Sequence, residues 1–193
     1  MPVPHLTSPR LMLLASGLAL FATTVAASPS GTHSEADHCA PTGTYSEKVR
    51  LGGLVEHRKT FTVDGLRTYP ASKVNVWYST GKGPVQTSFI GVPLFDLIEE
   101  AGVKLDPDKK NDILRKYVVI RASDCYESVV SMAELLPNFA GQQVLVAYAK
   151  GDGTLLDPQD GMARLVVPGD KAGGRYVSNI TRIEVRSAPG DSD

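Results

Sequence analysis

The sequence predicts a mixed α+β domain, built from mostly antiparallel sheets of short strands with about three short helices. Short apolar segments recur along the chain between turns rich in Gly, Pro and Asp, as is typical of short strands. The helical segments are few and brief, and they occur among the strands in no regular alternation. A doubly wound parallel fold needs a helix between successive strands, so that fold is not expected.

The clearest strand signal lies where Val74, Val76 and Tyr78 alternate with Asn75 and Trp77. A period of two places successive side chains on opposite faces of a sheet, which predicts a half-buried strand over residues 73–78. Similar patterns predict further strands at residues 49–55, 59–62, 85–90, 116–120, 126–130, 144–149, 164–168 and 176–185.

Three segments carry signals for the ends of helices. Thr62 is placed to cap a short helix that follows it. Pro93 is placed to begin a second helix, and Gly102 is placed to end it. Ser131 and Glu134 have the spacing of a capping box at the start of a third.

Composition and charge are those of an ordinary globular protein. The chain has 193 residues, of which 42% are hydrophobic and 21% charged. This is enough for one domain with a substantial core. The formal net charge of −1 gives no basic footprint, so we expect no nucleic-acid partner.

The N-terminus has the pattern of a signal peptide. Arg10 precedes a nearly continuous apolar run at residues 11–21, and small residues follow it up to Ala27. We predict a signal peptide over residues 1–27 and a mature protein that is periplasmic or secreted. No later apolar run reaches the length of a membrane span, so none is expected after cleavage. The alternative is an uncleaved membrane anchor.

The mature chain divides into three parts. Residues 28–46 are rich in small polar residues and predict a flexible leader. We predict that residues 47–187 form the folded domain and that residues 188–193 form a disordered tail. Cys39 lies in the leader and Cys125 in the domain. Export permits a disulfide between them, but the sequence leaves open whether they meet.

A glycine-rich stretch between the last two predicted strands contains Gly173 and Gly174 with Lys171 and Arg175. Glycine permits tight turns and close approach of a ligand, and consecutive backbone N–H groups can form an anion-binding concavity. Lys171 and Arg175 add positive charge that suits phosphate. Two interpretations stay open: a loop that grips a phosphate-bearing ligand, or a hairpin connection whose two cations are solvated.

Four stretches together resemble one known family. They read L-G-G-L-V-E-H-R-K-T-F-T-V-D-G-L at residues 51–66, F-I-G-V-P-L-F-D-L-I-E-E-A-G-V at 89–103, Y-V-V-I-R-A-S-D-C-Y-E-S-V-V-S-M-A-E-L at 117–135 and R-L-V-V-P-G-D-K-A-G-G-R-Y-V-S-N-I-T-R-I-E-V at 164–185. Their order and spacing are similar to those of the sulfite oxidase-type molybdopterin-binding domain. The resemblance covers about residues 49–186.

The resemblance implies a mixed α+β fold around a pocket for molybdopterin as cofactor. In catalytic members of the family a cysteine thiolate, upstream of the G-[VF]-P-L turn, ligates molybdenum. Here Ser79 or Thr80 takes that place, and the family's His-x-Arg pterin contact has no match in residues 28–50. The implied cofactor-binding residues are Ser79, Thr80, Arg164, Lys171, Gly173, Gly174, Arg175 and Asn179.

Two functions remain open from the sequence. The first is an exported molybdopterin-binding-domain protein, an oxidoreductase whose redox activity is altered or lost because a neutral hydroxyl is a poor substitute for a thiolate. The second is a non-enzymatic binding or accessory module that uses the same pocket for a small anionic ligand or a redox partner protein. The sequence does not decide whether the protein is an enzyme.

Overall fold

The computed structural model describes residues 39–42 and 44–189, a region that contains nine strands and three α-helices. The strands are β1 (Val49–Gly53), β2 (Lys59–Phe61), β3 (Ser72–Thr80), β4 (Gly83–Pro93), β5 (Lys116–Ala122), β6 (Glu127–Ser131), β7 (Leu145–Lys150), β8 (Arg164–Val166) and β9 (Ile180–Ser187). The helices are α1 (Val63–Leu66), α2 (Leu94–Ala101) and α3 (Met132–Leu135). The predicted signal peptide, the predicted leader up to residue 38, and residues 190–193 of the predicted tail lie outside the described residues.

The strands form two sheets. The five-stranded sheet has the order β2-β1-β9-β5-β6, and the four-stranded sheet has the order β3-β4-β7-β8. Among the described strand pairs, β1 and β9 run parallel and the others are antiparallel. This architecture confirms the predicted fold class of mostly antiparallel sheets with a few short helices.

The helices begin where the sequence signals predict. The Thr62 side chain accepts a hydrogen bond from the Gly65 N–H at the start of α1. At the start of α3, Ser131 and Glu134 form both hydrogen bonds of the capping box. These side chains satisfy backbone donors that have no partner within the helix, so helices of four residues can form.

Both sheets and all three helices contribute to one hydrophobic core. Ile120 and Ile183 enter it from the five-stranded sheet, Leu145 and Leu165 from the four-stranded sheet, and Leu97 from α2; all five are fully buried. Burying a side chain of this size stabilises a fold by about 1.5–3 kcal/mol. The core therefore fixes how the two sheets pack and where the loops between them meet.

The structure corrects the hairpin interpretation of the glycine-rich stretch. β8 pairs with β7 in the four-stranded sheet, whereas β9 pairs with β1 and β5 in the five-stranded sheet. The stretch is therefore a crossing between two sheets. It also extends further than predicted, because Asn179 adopts a left-handed backbone conformation (φ 59°) and β9 begins only at the next residue.

The connection between the strands predicted at residues 73–78 and 85–90 is also shorter than expected. Ser79 and Thr80 end β3, Gly83 begins β4, and only Gly81 and Lys82 form the turn between them. The strand pairing extends because Thr80 pairs with Gly83 and the Thr80 side chain closes the turn by two hydrogen bonds.

Cys39 and Cys125 form a disulfide, which answers the question that the sequence left open. The same part of the predicted leader makes two further contacts with the domain. The Thr42 N–H donates to the Ser123 carbonyl, and the Ser46 N–H donates to the Asn179 side chain. The chain before β1 is thus joined to the domain beside the turn between β5 and β6.

Candidate functional site

The glycine-rich loop, residues 169–175, lies against the end of β3. The Ser79 N–H donates to the Lys171 carbonyl (2.9 Å), and Ser79 and Ala172 form an isolated parallel bridge. A Cβ atom at Gly173 would lie 3.0 Å from a ring carbon of Tyr78, so glycine permits the close packing here. The structure thus brings the predicted metal-ligand position, Ser79, to the predicted phosphate loop.

Several carbonyl groups of this loop accept hydrogen bonds from the protein. Besides the Lys171 carbonyl, the Gly173 carbonyl accepts from the Tyr176 N–H and the Gly174 carbonyl accepts from the Tyr126 hydroxyl. The Lys171 side chain is exposed and has no ion pair within the described part of the chain. Lys171 is therefore available to an anion at this position.

Ser79 and Thr80 differ in what their side chains can do. The Thr80 hydroxyl donates to the Gly83 carbonyl (2.8 Å) and accepts from the Lys82 N–H (3.1 Å). The Ser79 side chain is exposed and makes no hydrogen bond to any described residue. Of the two predicted positions, Ser79 is the one whose hydroxyl is free to meet a ligand.

Arg175 is held by two carboxylates. Its Nε and Nη2 donate to the two oxygens of Asp170 (2.8 and 2.7 Å), and its Nη1 donates to Glu134 Oε1 (2.8 Å). The hydrogen bonds to Asp170, together with those to Glu134, raise the pKa of the guanidinium above its ordinary value. Bidentate pairs of this kind are strong, so Arg175 joins the loop to α3 and has few donors left for a ligand.

Arg164 and Asn179 also have partners inside the protein. Arg164 Nη1 donates to Asp160 Oδ1 (2.9 Å), which also accepts from the Ser178 hydroxyl, while the guanidinium lies 5.1 Å from the centre of the Phe89 ring. The backbone of Asn179 bonds to Asp160 and Ser123, and its side chain accepts from the Ser46 N–H.

Two stacked tyrosines lie beneath the loop. The rings of Tyr78 and Tyr176 are 4.0 Å apart and nearly parallel, and both side chains are buried. The Tyr176 hydroxyl has no hydrogen-bond partner among the described residues. Its burial, together with the nearby Tyr78 and Asp170, raises the pKa of Tyr176 to about 12, although Arg164 acts in the opposite direction. Tyr176 therefore stays neutral at physiological pH.

Both cysteine sulfur atoms of the chain belong to one disulfide bond. The sequence contains two cysteines, Cys39 and Cys125, and both belong to the disulfide. Cys125 precedes Tyr126, whose hydroxyl bonds to the glycine-rich loop at Gly174. The disulfide thus lies next to the loop in the fold, and it leaves no free thiol.

Neither of two cavities on the described surface contains a predicted site residue. One of about 420 Å³ lies on the five-stranded sheet and is lined by Arg50, Leu51, Gly52, Gly53, Arg58, Lys59, Thr60, Arg182, Glu184 and Arg186. The other, of about 570 Å³, is lined by Asn75, Gln86, Thr87, Ser88, Lys150, Gly151 and Asp152. The glycine-rich loop is thus separate from the linings of both cavities.

The two sheets, the short capped helices and the loop at the end of β3 define an oxidoreductase-type cofactor-binding domain. The chain belongs to the family described as the oxidoreductase molybdopterin binding domain, whose model matches residues 40–193. No curated protein matches the sequence.

One similar solved structure is the sulfane dehydrogenase SoxCD from Paracoccus pantotrophus, at 23% sequence identity and a TM-score of 0.60. The similarity covers 75% of this chain and 39% of that chain. The chain therefore shares the fold of a domain within a longer protein. None of the helices in the described part of the chain has the length and apolar character that crossing a bilayer requires.

The residues present do not fit the metal end of the family's cofactor. The resemblance puts Ser79 or Thr80 at the position of the family's ligand thiolate, which is anionic and soft, whereas a serine or threonine hydroxyl is neutral and hard. The disulfide removes the other source of a thiolate. The phosphate end fits only in part, because Arg175 already binds Asp170 and Glu134, while Lys171 has no ion pair among the described residues.

Sequence reasoning missed the acids that surround the predicted cations. Asp160, Asp170 and Glu134 bind the two predicted arginines, yet only the capping role of Glu134 had a local signal. The spacings Asp160–Arg164 and Asp170–Arg175 are visible in the sequence and could have suggested local ion pairs. The contact between Glu134 and Arg175 spans 41 positions and depends on the tertiary fold.

Proposed function

We propose that this chain is an exported member of the molybdopterin-binding family whose thiolate-ligated molybdenum redox activity is lost. The disulfide carries this proposal, since it contains both cysteines of the sequence. By the family resemblance, Ser79 or Thr80 takes the place of the ligand cysteine, and a neutral hydroxyl binds a soft metal weakly. The proposal therefore keeps the fold and the cofactor-binding ancestry of the family but not the chemistry of its catalytic members.

The decisive experiment measures molybdenum and pterin in the protein purified from its own cells. Elemental analysis and the fluorescence of released pterin should both give far less than one equivalent per chain. One equivalent of molybdenum that survives gel filtration would overturn the proposal. Repeating the measurement under reducing conditions shows whether opening the disulfide supplies a ligand.

A gain-of-function variant sharpens this test. Ser79→Cys restores a thiol at the exposed position beside Lys171, whereas Thr80→Cys places one in a turn where the native hydroxyl makes two local hydrogen bonds. We expect molybdenum retention to rise in Ser79→Cys and to stay low in Thr80→Cys. Equal retention in the two variants would show that position 79 is not the ligand position.

A second candidate function is a binding module for a small anionic ligand at the glycine-rich loop. It is favoured by the exposed Lys171 side chain, which lacks an ion pair in the described region, and by the backbone hydrogen bond that joins Lys171 to the exposed Ser79. Titration with inorganic phosphate should shift the amide signals of residues 171–175. Lys171→Gln should abolish these shifts, and Lys82→Gln, on the neighbouring exposed turn, should preserve them.

A redox partner protein is the other occupant that this surface suits. Trp77, two residues before Ser79, is 56% exposed, and Tyr126, which bonds to the loop, is 50% exposed. Exposed aromatic side chains are enriched at protein interfaces. Cross-linking from a photoreactive group at residue 77 tests for a partner protein at this surface. Cross-linked products that contain only small molecules would exclude such a partner.

Export is supported by the predicted signal peptide over residues 1–27 and by the disulfide, which persists in oxidising compartments. Mass spectrometry of the protein from the periplasm or the medium should give a mature chain that begins at Ser28. Full-length protein confined to the cytoplasm would contradict export.

A further inference from the structure

Three arginines stand side by side on the outer face of the five-stranded sheet. The register places Arg50 of β1 opposite Arg182 of β9, and Arg182 opposite Arg121 of β5. Ile183 and Val185 of β9 point into the core, so the alternation of the strand puts Arg182 on the other face. The three positions therefore form a row across neighbouring strands.

Like charges directly opposite each other destabilise a sheet, so the acids near this row matter. Arg121 pairs with Glu127, and Glu184 bonds to Arg182 at 3.1 Å. Arg50, in contrast, is exposed and has neither an ion pair nor a hydrogen bond to any described residue. Positive charge at this end of the row is thus left without compensation.

The row borders the cavity of about 420 Å³ described above, which we call the arginine groove. Five of its lining residues are cationic and one is acidic: Arg50, Arg58, Lys59, Arg182 and Arg186 against Glu184. Lys59 binds Glu100, which is outside the lining, but Arg58 is exposed and has no partner within residues 39–42 and 44–189. The protein has a net charge of −1, so this excess is local.

Two glycines line the groove. Gly53 has φ +79°, and a Cβ atom there would lie 2.2 Å from the Val185 carbonyl oxygen. Gly52 faces the groove next to Arg58, with no side chain to fill it. A volume of this size lies within the range of small-molecule sites, whereas a flat basic surface would suit a protein partner better.

We propose that the arginine groove binds a small anion bearing phosphate groups, for which inorganic pyrophosphate is the simplest probe. Guanidinium groups match phosphate oxygens by paired hydrogen bonds, and an arriving anion would relieve the repulsion between Arg50 and Arg182. Glu184 bridges Arg182 and Arg186 and holds both guanidinium groups in place. This site is independent of the proposed function, since it shares no residue with the glycine-rich loop.

The test uses the mature, disulfide-bonded protein and isothermal titration with pyrophosphate at low ionic strength. Wild type should bind, and its Tm should rise more with pyrophosphate than with chloride at equal ionic strength. Arg50→Gln should weaken binding about tenfold or more, the scale of one lost charged hydrogen bond. Its Tm without anion should equal or exceed that of wild type, because one repulsive neighbour is gone.

Lys82→Gln is the matched control, since it removes an exposed cation from the turn between β3 and β4 and should leave binding unchanged. Arg58→Gln is a second variant in case Arg50→Gln alters folding, and it should also bind about tenfold more weakly. Four outcomes would overturn the proposal. In the first, pyrophosphate raises the Tm no more than chloride does, and in the second, both arginine variants bind pyrophosphate as tightly as wild type. In the third, pyrophosphate shifts only the amide signals of residues 171–175. In the fourth, the protein binds an acidic polyglutamate peptide but not pyrophosphate.

Discussion

The glycine-rich loop and the arginine groove both concentrate positive charge, but they differ in how that charge is compensated. In the loop, Arg175 donates three hydrogen bonds to Asp170 and Glu134. In the groove, Arg50 faces Arg182 across the sheet without an acid of its own in the described residues. The difference teaches that glycines beside cations do not identify an anion site. The acids that the fold delivers decide whether a cation is free.

The two regions also differ in what builds them. The loop crosses between the sheets and is held by tertiary contacts, among them the bond from Tyr126 to Gly174 beside the disulfide. The groove rests on the hydrogen-bonded register of β1, β2 and β9. We therefore expect perturbations of tertiary structure to separate the two regions experimentally.

The largest expected effect is that of removing the disulfide in Cys39→Ala/Cys125→Ala. The bridge joins positions 86 residues apart, and closing so long a loop restricts the unfolded chain. Its loss should lower the free energy of unfolding by about 4 kcal/mol. Urea denaturation measures this, with reductant-treated wild type as the control.

The same variant tests the separation of the two regions. Hydrogen exchange should accelerate at residues 173–175, next to the Tyr126 contact, while the amides of β1 and β9 keep their relative protection. Equal acceleration in both regions, or a stability loss below about 1 kcal/mol, would contradict the proposed role of the bridge.

The second effect concerns neighbouring glycines of the groove. Gly53→Ala should destabilise the protein by about 3 kcal/mol, because the residue has a positive φ and its Cβ would collide with the Val185 backbone. Gly52→Ala should change stability by less than about 0.5 kcal/mol, since its Cβ would be 3.9 Å from the Arg58 side chain. Urea denaturation measures both changes. Similar losses in the two variants would show that general strand propensity, and not the local geometry, decides them.

The third effect compares a compensated arginine with an uncompensated one. Arg175→Ala should cost about 2 kcal/mol of stability, because it leaves the carboxylates of Asp170 and Glu134 without their shared cation. Arg175→Lys should recover only part of this loss, since an ammonium group cannot form the same paired contacts. Chemical denaturation of both variants beside Arg50→Gln gives the comparison. If Arg50→Gln destabilises the protein as much as Arg175→Ala, the charge of Arg50 has a stabilising interaction that the contacts described above do not include.

Much of the fold could be predicted because its signals are local. The alternation of Val74, Val76 and Tyr78 and the capping box of Ser131 and Glu134 act over a few residues, and the structure contains both. The family resemblance added the order of the elements. Local signals could not predict that β8 and β9 belong to different sheets, because strand pairing depends on contacts between distant segments.

The proximity of two candidate site residues could be predicted, but the electrostatics around them could not. The family resemblance implied that Ser79 and Lys171 contact one cofactor, and a backbone hydrogen bond joins the two residues. The sequence did not indicate that Glu134 would reach Arg175, or that Arg50 and Arg182 would share a row, because both follow from pairing across the chain. The fold decides which acid lies next to each cation. The position of a lysine or arginine in the sequence therefore says little about its ion-pair partner.

The smallest expected effect at neutral pH lies beside the loop, at Tyr176. Its buried hydroxyl has no partner within residues 39–189, so Tyr176→Phe removes no hydrogen bond. Stability at pH 7 should therefore change by less than about 0.5 kcal/mol, or rise slightly. Among the described residues, the region of the loop thus contains a buried polar atom without a hydrogen-bond partner, whereas the groove contains a charge without a compensating acid.

Raising the pH separates Tyr176→Phe from wild type. Burial raises the pKa of Tyr176 from 10.0 to about 12, so the folded state keeps the phenol proton that the unfolded state releases. The contribution of this pKa shift to the free energy of unfolding is complete below pH 10. It declines between pH 10 and 12, by roughly 1 kcal/mol per pH unit. Tyr176→Phe should lose stability less steeply in this window. Tyr45→Phe, at a residue that is 54% exposed, controls for removal of a phenol. Identical alkaline slopes for wild type and Tyr176→Phe would mean that the Tyr176 hydroxyl reaches water, and that the packing beneath the glycine-rich loop is looser than the stacked rings imply.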